Sequence, residues 1–86
     1  MNYNYFIGID VSKHTIDAAA ICKDDQSTVL HNTFENSSKG IDEMIIFFTK
    51  AYPKFDIHKT LFCMEATGVY CSALLDFSKN RDLHFG

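Results

Sequence analysis

Two short apolar runs, each ending on an acid, decide the fold: residues 3–10, Tyr-Asn-Tyr-Phe-Ile-Gly-Ile-Asp, and residues 60–65, Thr-Leu-Phe-Cys-Met-Glu. Neither run shows the three-and-four spacing of an amphipathic helix. Uninterrupted apolar strands are typical of parallel strands that are buried on both faces of a sheet. We therefore predict that both runs are strands covered on both faces, and that they end at Asp10 and Glu65.

Two further strands are predicted between these runs. A polar turn at residues 12–14 precedes Thr15–Cys22, and a second at residues 23–26 separates it from Thr28–Phe34, so the first three strands should form an antiparallel meander. The three alanines at positions 18–20 leave a helix open for the first of these segments. Its place between two turns favours a strand.

A helix should follow the meander. Residues 36–38, Asn-Ser-Ser, offer N-cap oxygens, and Asp42 and Glu43 fall early in the run, where carboxylates suit the positive end of the helix dipole. Pro53 should end the helix. Its buried face is predicted to consist of Ile41, Met44, Ile45, Phe48, Ala51 and Tyr52, widened by Ile46 and Phe47.

A second helix after residues 66–68 is indicated by the spacing of Tyr70, Ala73, Leu74 and Phe77, and residues 83–86 resemble the start of another strand. The order is then βββαβα(β). A right-handed crossover places the fourth strand beside the first, which predicts an α/β fold with the mixed sheet order 3-2-1-4-5. We expect residues 1–86 to be one domain and a fragment of a longer protein.

Composition limits the classes of function. An apolar fraction of 47% with 22% charged residues is that of a globular domain, and no stretch approaches a membrane span, so we expect a cytoplasmic protein. The net charge of −3 and the pI near 5.7 indicate that most contacts with any nucleic acid come from elsewhere. Three cysteines without a C-x-x-C pair, and four scattered histidines, favour reduced, buried thiols and argue against zinc.

The chemistry is predicted to lie at Asp10 and Glu65. Each acid ends an apolar strand, and in the proposed sheet both emerge at the same carboxyl edge, where open α/β sheets place their ligands. Carboxylates this close repel unless a divalent ion neutralises them, and hard oxygen ligands favour Mg²⁺ or Mn²⁺. The competing interpretation is that Asp10 begins a turn and Glu65 caps the following helix.

Two motifs add a family resemblance. Residues 7–13, Ile-Gly-Ile-Asp-Val-Ser-Lys, with Asp17 shortly after, and residues 65–70, Glu-Ala-Thr-Gly-Val-Tyr, resemble the amino-terminal half of the DEDD transposases of the insertion sequence 110 type. The resemblance implies the RuvC-like version of the ribonuclease H fold. It also implies that Asp10 and Glu65 are the first two Mg²⁺-binding acids of a catalytic tetrad.

The resemblance implies partners and missing parts as well. The third and fourth acids of the family lie in a later Asp-x-x-Asp segment, and a carboxyl-terminal domain carries a serine nucleophile. The expected partners are DNA, near the nucleoid, and a guide RNA from the same element. We expect the 86-residue chain alone to be inactive, and a short fifth strand to leave an edge that favours a homo-oligomer.

Two other residues carry weaker expectations. Lys13, in the first turn, is our candidate for a contact with nucleic-acid phosphate, although an exposed turn lysine is more often only solvated. Asp17 could approach the site from the second strand, but we expect its side chain to face solvent.

Two rival functions remain open at this stage. An actin-like ATPase or sugar kinase also opens with an apolar strand and Gly-x-Asp, but it needs a glycine-rich turn after the acid, and residues 11–14 contain no glycine. The other rival is a non-catalytic assembly or RNA-binding module on the same fold.

Overall fold

A five-stranded mixed sheet forms the centre of the molecule, with the predicted order β3-β2-β1-β4-β5. The computed structural model describes residues 3–64, 72–81 and 84–85. The elements are β1 (Tyr5–Val11), β2 (Thr15–Cys22), β3 (Asp25–Glu35), α1 (Ser38–Ala51), a single 3-10 turn (Ile57–Lys59), β4 (Thr60–Met64), α2 (Ser72–Arg81) and β5 (His84–Phe85).

The first three strands form the predicted antiparallel meander. β3 is longer than predicted because Lys23 and Asp24 alone make the turn, and Cys22 already pairs with Asp25. The register is irregular between Ala20, which pairs with Leu30, and Cys22, which pairs with Asp25. The turn is therefore tighter than its polar sequence suggested.

β4 runs parallel to β1, as the prediction required. The pairing extends from Tyr5 opposite Thr60 to Ile9 opposite Met64, and β5 pairs with β4 in the same direction. The carboxyl ends of β1 and β4 thus lie at the same edge of the sheet.

The amino-terminal end of α1 follows the capping prediction but not the charge prediction. The Ser37 hydroxyl accepts a hydrogen bond from the backbone N–H of Gly40 at 3.0 Å, so Ser37 is the N-cap. The helix already begins at Ser38, and its first turn contains no acid. Asp42 and Glu43 lie one turn further along, where the helix dipole acts on them more weakly.

The rest of α1 ends and packs largely as predicted. The helix stops at Ala51, before Pro53, but Ala51 is exposed. Ile46 is 52% exposed, so the expectation that it widens the buried face was wrong, whereas Phe47 packs against the core. The buried stripe is narrower than the apolar sequence because Ile46 lies on the solvent side of the helix.

The core occupies one side of the sheet. Alternate residues of the strands and the inner faces of both helices make one cluster: Ile7, Ile9, Ile16, Ala18, Ala20, Phe34, Ile41, Met44, Phe48, Phe62, Leu74 and Phe77. In α2 the predicted Leu74 and Phe77 are buried and Ala73 packs against the core cluster, while Tyr70 lies outside the described residues.

The prediction that β1 and β4 are covered on both faces was wrong for the described part of the chain. Gly8 and Asp10 of β1 and Cys63 of β4 are exposed, whereas their neighbours Ile9 and Phe62 are buried. A continuous apolar run shows that a strand avoids water on one face, but it does not show what lies over the other. None of the helices in the described residues is long and apolar enough to span a membrane.

Candidate functional site

The side of the sheet away from the described helices is the candidate site, and we call it the open face. The strand registers place alternate residues on it in matching rows. Its members are Phe6, Gly8, Asp10, Asp17, Ala19, Ile21, His31, Thr33, Leu61 and Cys63.

A groove of about 590 Å³ runs over the open face. Gly8 and Ala19, which are opposite each other in the register, line its middle and have almost no side chain to fill it. A Cβ atom built on Gly8 would have the Ala19 carbonyl oxygen, 4.0 Å away, as its nearest neighbour. The groove is lined by Gly8, Ile9, Asp10, Asp17, Ala19, His31, Cys63 and Met64.

Asp10 and Asp17 form the acidic end of this groove. Asp10 is exposed near the carboxyl end of β1, and Asp17 is directly opposite it on β2. Directly opposite residues on antiparallel strands have Cβ atoms about 4.5–5.5 Å apart. The two carboxylates therefore share one side of the sheet. The competing interpretation, that Asp10 begins a turn, was wrong, because Asp10 lies within β1.

Asp17 is held by side chains of β3. The Thr33 hydroxyl donates a hydrogen bond to Oδ1 of Asp17 at 2.5 Å, and Nε2 of His31 lies 3.9 Å from the same oxygen. The side chain of Asp17 is 48% exposed. The expectation that it faces solvent is thus half right, since it is partly exposed but points to the same face as Asp10.

The second predicted acid, Glu65, lies outside the described residues, together with Thr67 and Gly68 of its motif. β4 is described up to Met64, which pairs with Ile9. β1 and β4 are therefore parallel neighbours, which is what the prediction that Asp10 and Glu65 lie close together requires. The approach of the two carboxylates stays a prediction.

Lys13 is exposed at the tip of the turn between β1 and β2. Hydrogen bonds fix this turn: the backbone N–H of Ser12 donates to the Thr15 carbonyl at 2.9 Å, and the N–H of Thr15 donates to Ser12 Oγ at 3.3 Å. The Asn36 side chain donates to the Ser12 carbonyl at 2.9 Å. Lys13 is thus presented from an ordered turn at the carboxyl end of β1.

The predicted buried thiols need a correction. Cys63 is exposed on the open face and Cys22 is partly exposed, and both are free thiols. Cys71 lies outside the described residues. Cys63 alternates with the buried Phe62 along β4, so its side chain lies on the face away from the described helices.

Sequence reasoning missed the contribution of β3. His31 and Thr33 were not expected at the site, although the alternation of Thr33 with buried Phe34 was a usable signal. Placing them beside Asp17 required the register of the hairpin. Among the described residues, no group of three or more His, Cys, Asp or Glu side chains is arranged to hold a metal ion.

The fold resembles that of a longer solved protein. A protein of unknown function with an actin-like ATPase fold, from Bacteroides thetaiotaomicron, matches with a TM-score of 0.62 and 15% sequence identity. The match covers 99% of this chain and 33% of that one, so the chain spans about a third of its length. At this identity the likeness concerns the fold alone. No curated protein matches the chain.

A family model gives a more specific match. The model described as a transposase, that of the DEDD transposases of the insertion sequence 110 type, matches residues 7–85. This range includes both motifs, all five strands except the first two residues of β1, and both helices. The chain therefore belongs to the DEDD transposase family of the insertion sequence 110 type.

Proposed function

We propose that this chain is the amino-terminal part of a ribonuclease H-like, RuvC-like catalytic domain that cuts and joins DNA strands in transposition. Asp10 and Glu65 are its first two metal-binding carboxylates. The remaining acids and the nucleophile belong to a longer protein. The reaction is phosphoryl transfer on DNA, and divalent ions held by these acids would supply the positive charge that activates the attacking oxygen and stabilises the leaving one.

One observation carries the proposal: Asp10 is exposed near the carboxyl end of a strand that is parallel to β4, on the side of the sheet away from the described helices. Glu65 is the next residue in the sequence after Met64, the last residue of β4. In open α/β sheets, ligands bind at this edge. Family membership over residues 7–85 supports the same assignment.

The donors suit a hard divalent cation. Asp10 and Glu65 offer carboxylate oxygens, the ligand type that Mg²⁺ and Mn²⁺ prefer. The groove beside Asp10 is lined by no lysine or arginine, so the described lining contains no fixed cation that neutralises the acids. The ion would supply that charge, and Asp10 would hold it at the sheet edge.

An ATPase function is less well supported, despite the likeness in fold. Phosphate binding after the first strand needs backbone N–H groups that are free to face the phosphate. In this turn the N–H groups of Ser12 and Thr15 are used within the turn, and residues 11–14 contain no glycine that would let the backbone approach a phosphate closely. Saturable ATP binding by the intact protein would nevertheless overturn the transposase proposal in favour of the ATPase.

The proposed partners follow from the same function. DNA at the nucleoid is the substrate, and a guide RNA from the element selects the target, while Lys13 contributes one phosphate contact at the edge of the site. With a net charge of −3, the chain cannot supply most of the phosphate contacts. Among the described residues β5 pairs with Leu61 and Phe62 of β4, and we propose that a homo-oligomer forms at this edge of the sheet.

The test uses the full-length transposase with Asp10→Asn and Glu65→Gln. Each change removes a charge and keeps the shape, so we expect strand cleavage in Mg²⁺ to be lost while the melting temperature is kept. Asp42→Asn, on the exposed side of α1, is the matched control and should cleave normally. Retained strand transfer by Asp10→Asn would select the non-catalytic module instead.

A second test concerns the 86-residue chain alone. We expect it not to cut DNA at any Mg²⁺ concentration, because two carboxylates do not complete a two-ion centre. Mg²⁺-dependent nicking by the purified chain, lost in Asp10→Ala, would contradict the proposal that the other acids and the nucleophile are needed for cleavage.

A further inference from the structure

We propose that Asp17 is a positioning residue of the same centre, whose carboxylate strengthens the binding of the divalent ion at Asp10. The inference rests on the proposed function and extends it to β2 and β3. The motif that carries the family resemblance includes Asp17 but gives it no role.

The strand register places Asp17 where such a role is possible. It is directly opposite Asp10, and both side chains line the acidic end of the groove. The separation expected for opposite residues, about 4.5–5.5 Å between Cβ atoms, is within the reach of a hydrated ion held by Asp10. Asp17 can therefore bind the ion through a bridging water molecule. Its negative charge can also attract the ion electrostatically while Asp10 holds it.

The charges around this pair favour a cation. Like charges directly opposite each other destabilise a sheet, so the fold gains nothing from this pair of acids. The described residues that line the groove include no lysine or arginine, and Nε2 of His31, on a side chain that is 59% exposed, lies 3.9 Å from Asp17 Oδ1. A divalent ion between the acids would convert their repulsion into attraction.

Thr33 gives Asp17 a defined orientation. Its hydroxyl donates to Oδ1 of Asp17, and Thr33 is opposite Asp17 in the register of β2 and β3. Within residues 3–64, 72–81 and 84–85, both contacts of the Asp17 carboxylate are to Oδ1, so Oδ2 can accept a hydrogen bond from the water shell of an ion. Partners that orient carboxylates around a metal typically change its affinity by roughly 10–100-fold.

The experiment measures the metal requirement of the full-length transposase. We expect Asp17→Asn to raise the Mg²⁺ concentration for half-maximal strand cleavage by about tenfold, with near-normal cleavage at saturating Mg²⁺. The affinity for Mn²⁺ should fall by a similar factor. It is measured by titration calorimetry on the protein without DNA, so that no cleavage takes place. Thr33→Val should change both quantities in the same direction and by less, and the Asp42→Asn control should change neither.

A structural role for Asp17 gives a different result. If Asp17 only joins β2 to β3 through Thr33, then Asp17→Asn and Thr33→Val lower the melting temperature and leave the Mg²⁺ requirement and the Mn²⁺ affinity unchanged. That result would overturn the inference. It would leave the proposed function intact, since strand cleavage by Asp10→Asn tests that function separately. If Asp17→Asn does not fold, the Mn²⁺ affinity of Thr33→Val decides between the two roles.

Discussion

The two faces of the sheet use the same strands for opposite purposes. On the covered face, Ile7, Ile9 and Phe62 are packed under α1 and α2. On the open face, the residues between them are Gly8, Asp10 and Cys63, all exposed. Side chains that stabilise the fold and side chains that can meet a ligand therefore alternate along one strand. Substitutions on the two faces should separate stability from activity.

The largest effect is expected in the centre of the covered face. Phe48 of α1 is fully buried, and its truncation to alanine leaves a cavity among Phe34, Phe47 and Phe55. Phe48→Ala should lower the free energy of unfolding by about 3–5 kcal/mol. Chemical denaturation measures this. Phe6→Ala on the open face is the comparison, and an equal loss there would show that the open face is also a packed core.

Gly40 gives the next largest effect, where α1 meets the end of β3. A Cβ atom on Gly40 would lie 1.8 Å from the Glu35 carbonyl oxygen, so the backbone would have to move. We expect Gly40→Ala to cost about 1–3 kcal/mol of stability, although alanine is the better helix former. If Gly40→Ala melts at or above the temperature of the wild type, Gly40 does not approach the Glu35 backbone this closely.

Gly8 should respond in the opposite sense. Its Cβ position is open, and glycine inside a strand is roughly 0.5–1 kcal/mol less favourable than alanine. Gly8→Ala should therefore raise the melting temperature of the 86-residue chain slightly. In the full-length transposase the same change narrows the groove beside Asp10, and we expect slower strand cleavage. A destabilised 86-residue chain would mean that the groove is not open.

The smallest effect on stability is expected at Asp10. Its side chain is exposed, and surface substitutions usually change stability by less than about 0.5 kcal/mol. Asp10→Asn should keep the unfolding midpoint of the 86-residue chain and, by relieving repulsion with Asp17, shift it upwards if at all. A clear loss of stability would assign Asp10 a structural role.

The fold was predictable largely because local signals agreed. The bounds of β2 follow from the turns on either side of it, and the sheet order follows from the handedness of crossover connections. The coverage of the sheet was not predictable, because apolar residues reveal burial but not the side from which a partner comes. For that reason β1 and β4 were expected to be covered on both faces of the sheet.

The site was predictable only in part. Asp10 stands out because a carboxylate has no packing value at the end of an apolar strand. The roles of Thr33 and His31 were hidden, because their approach to Asp17 depends on the register of β2 and β3, which is irregular near the turn. A shift of that register by one residue would move them to the other face.

The central claim, that Asp10 and Glu65 hold one divalent ion, is tested most directly by a crystal structure of the full-length transposase soaked with Mn²⁺. We expect the anomalous signal of Mn²⁺ beside Asp10, with metal–oxygen distances of roughly 2.1–2.2 Å and the Asp10 and Glu65 carboxylates about 4–8 Å apart. Carboxylates on opposite faces of the sheet, or more than roughly 12 Å apart, would contradict the claim, because one cluster of oxygen ligands could not then include both.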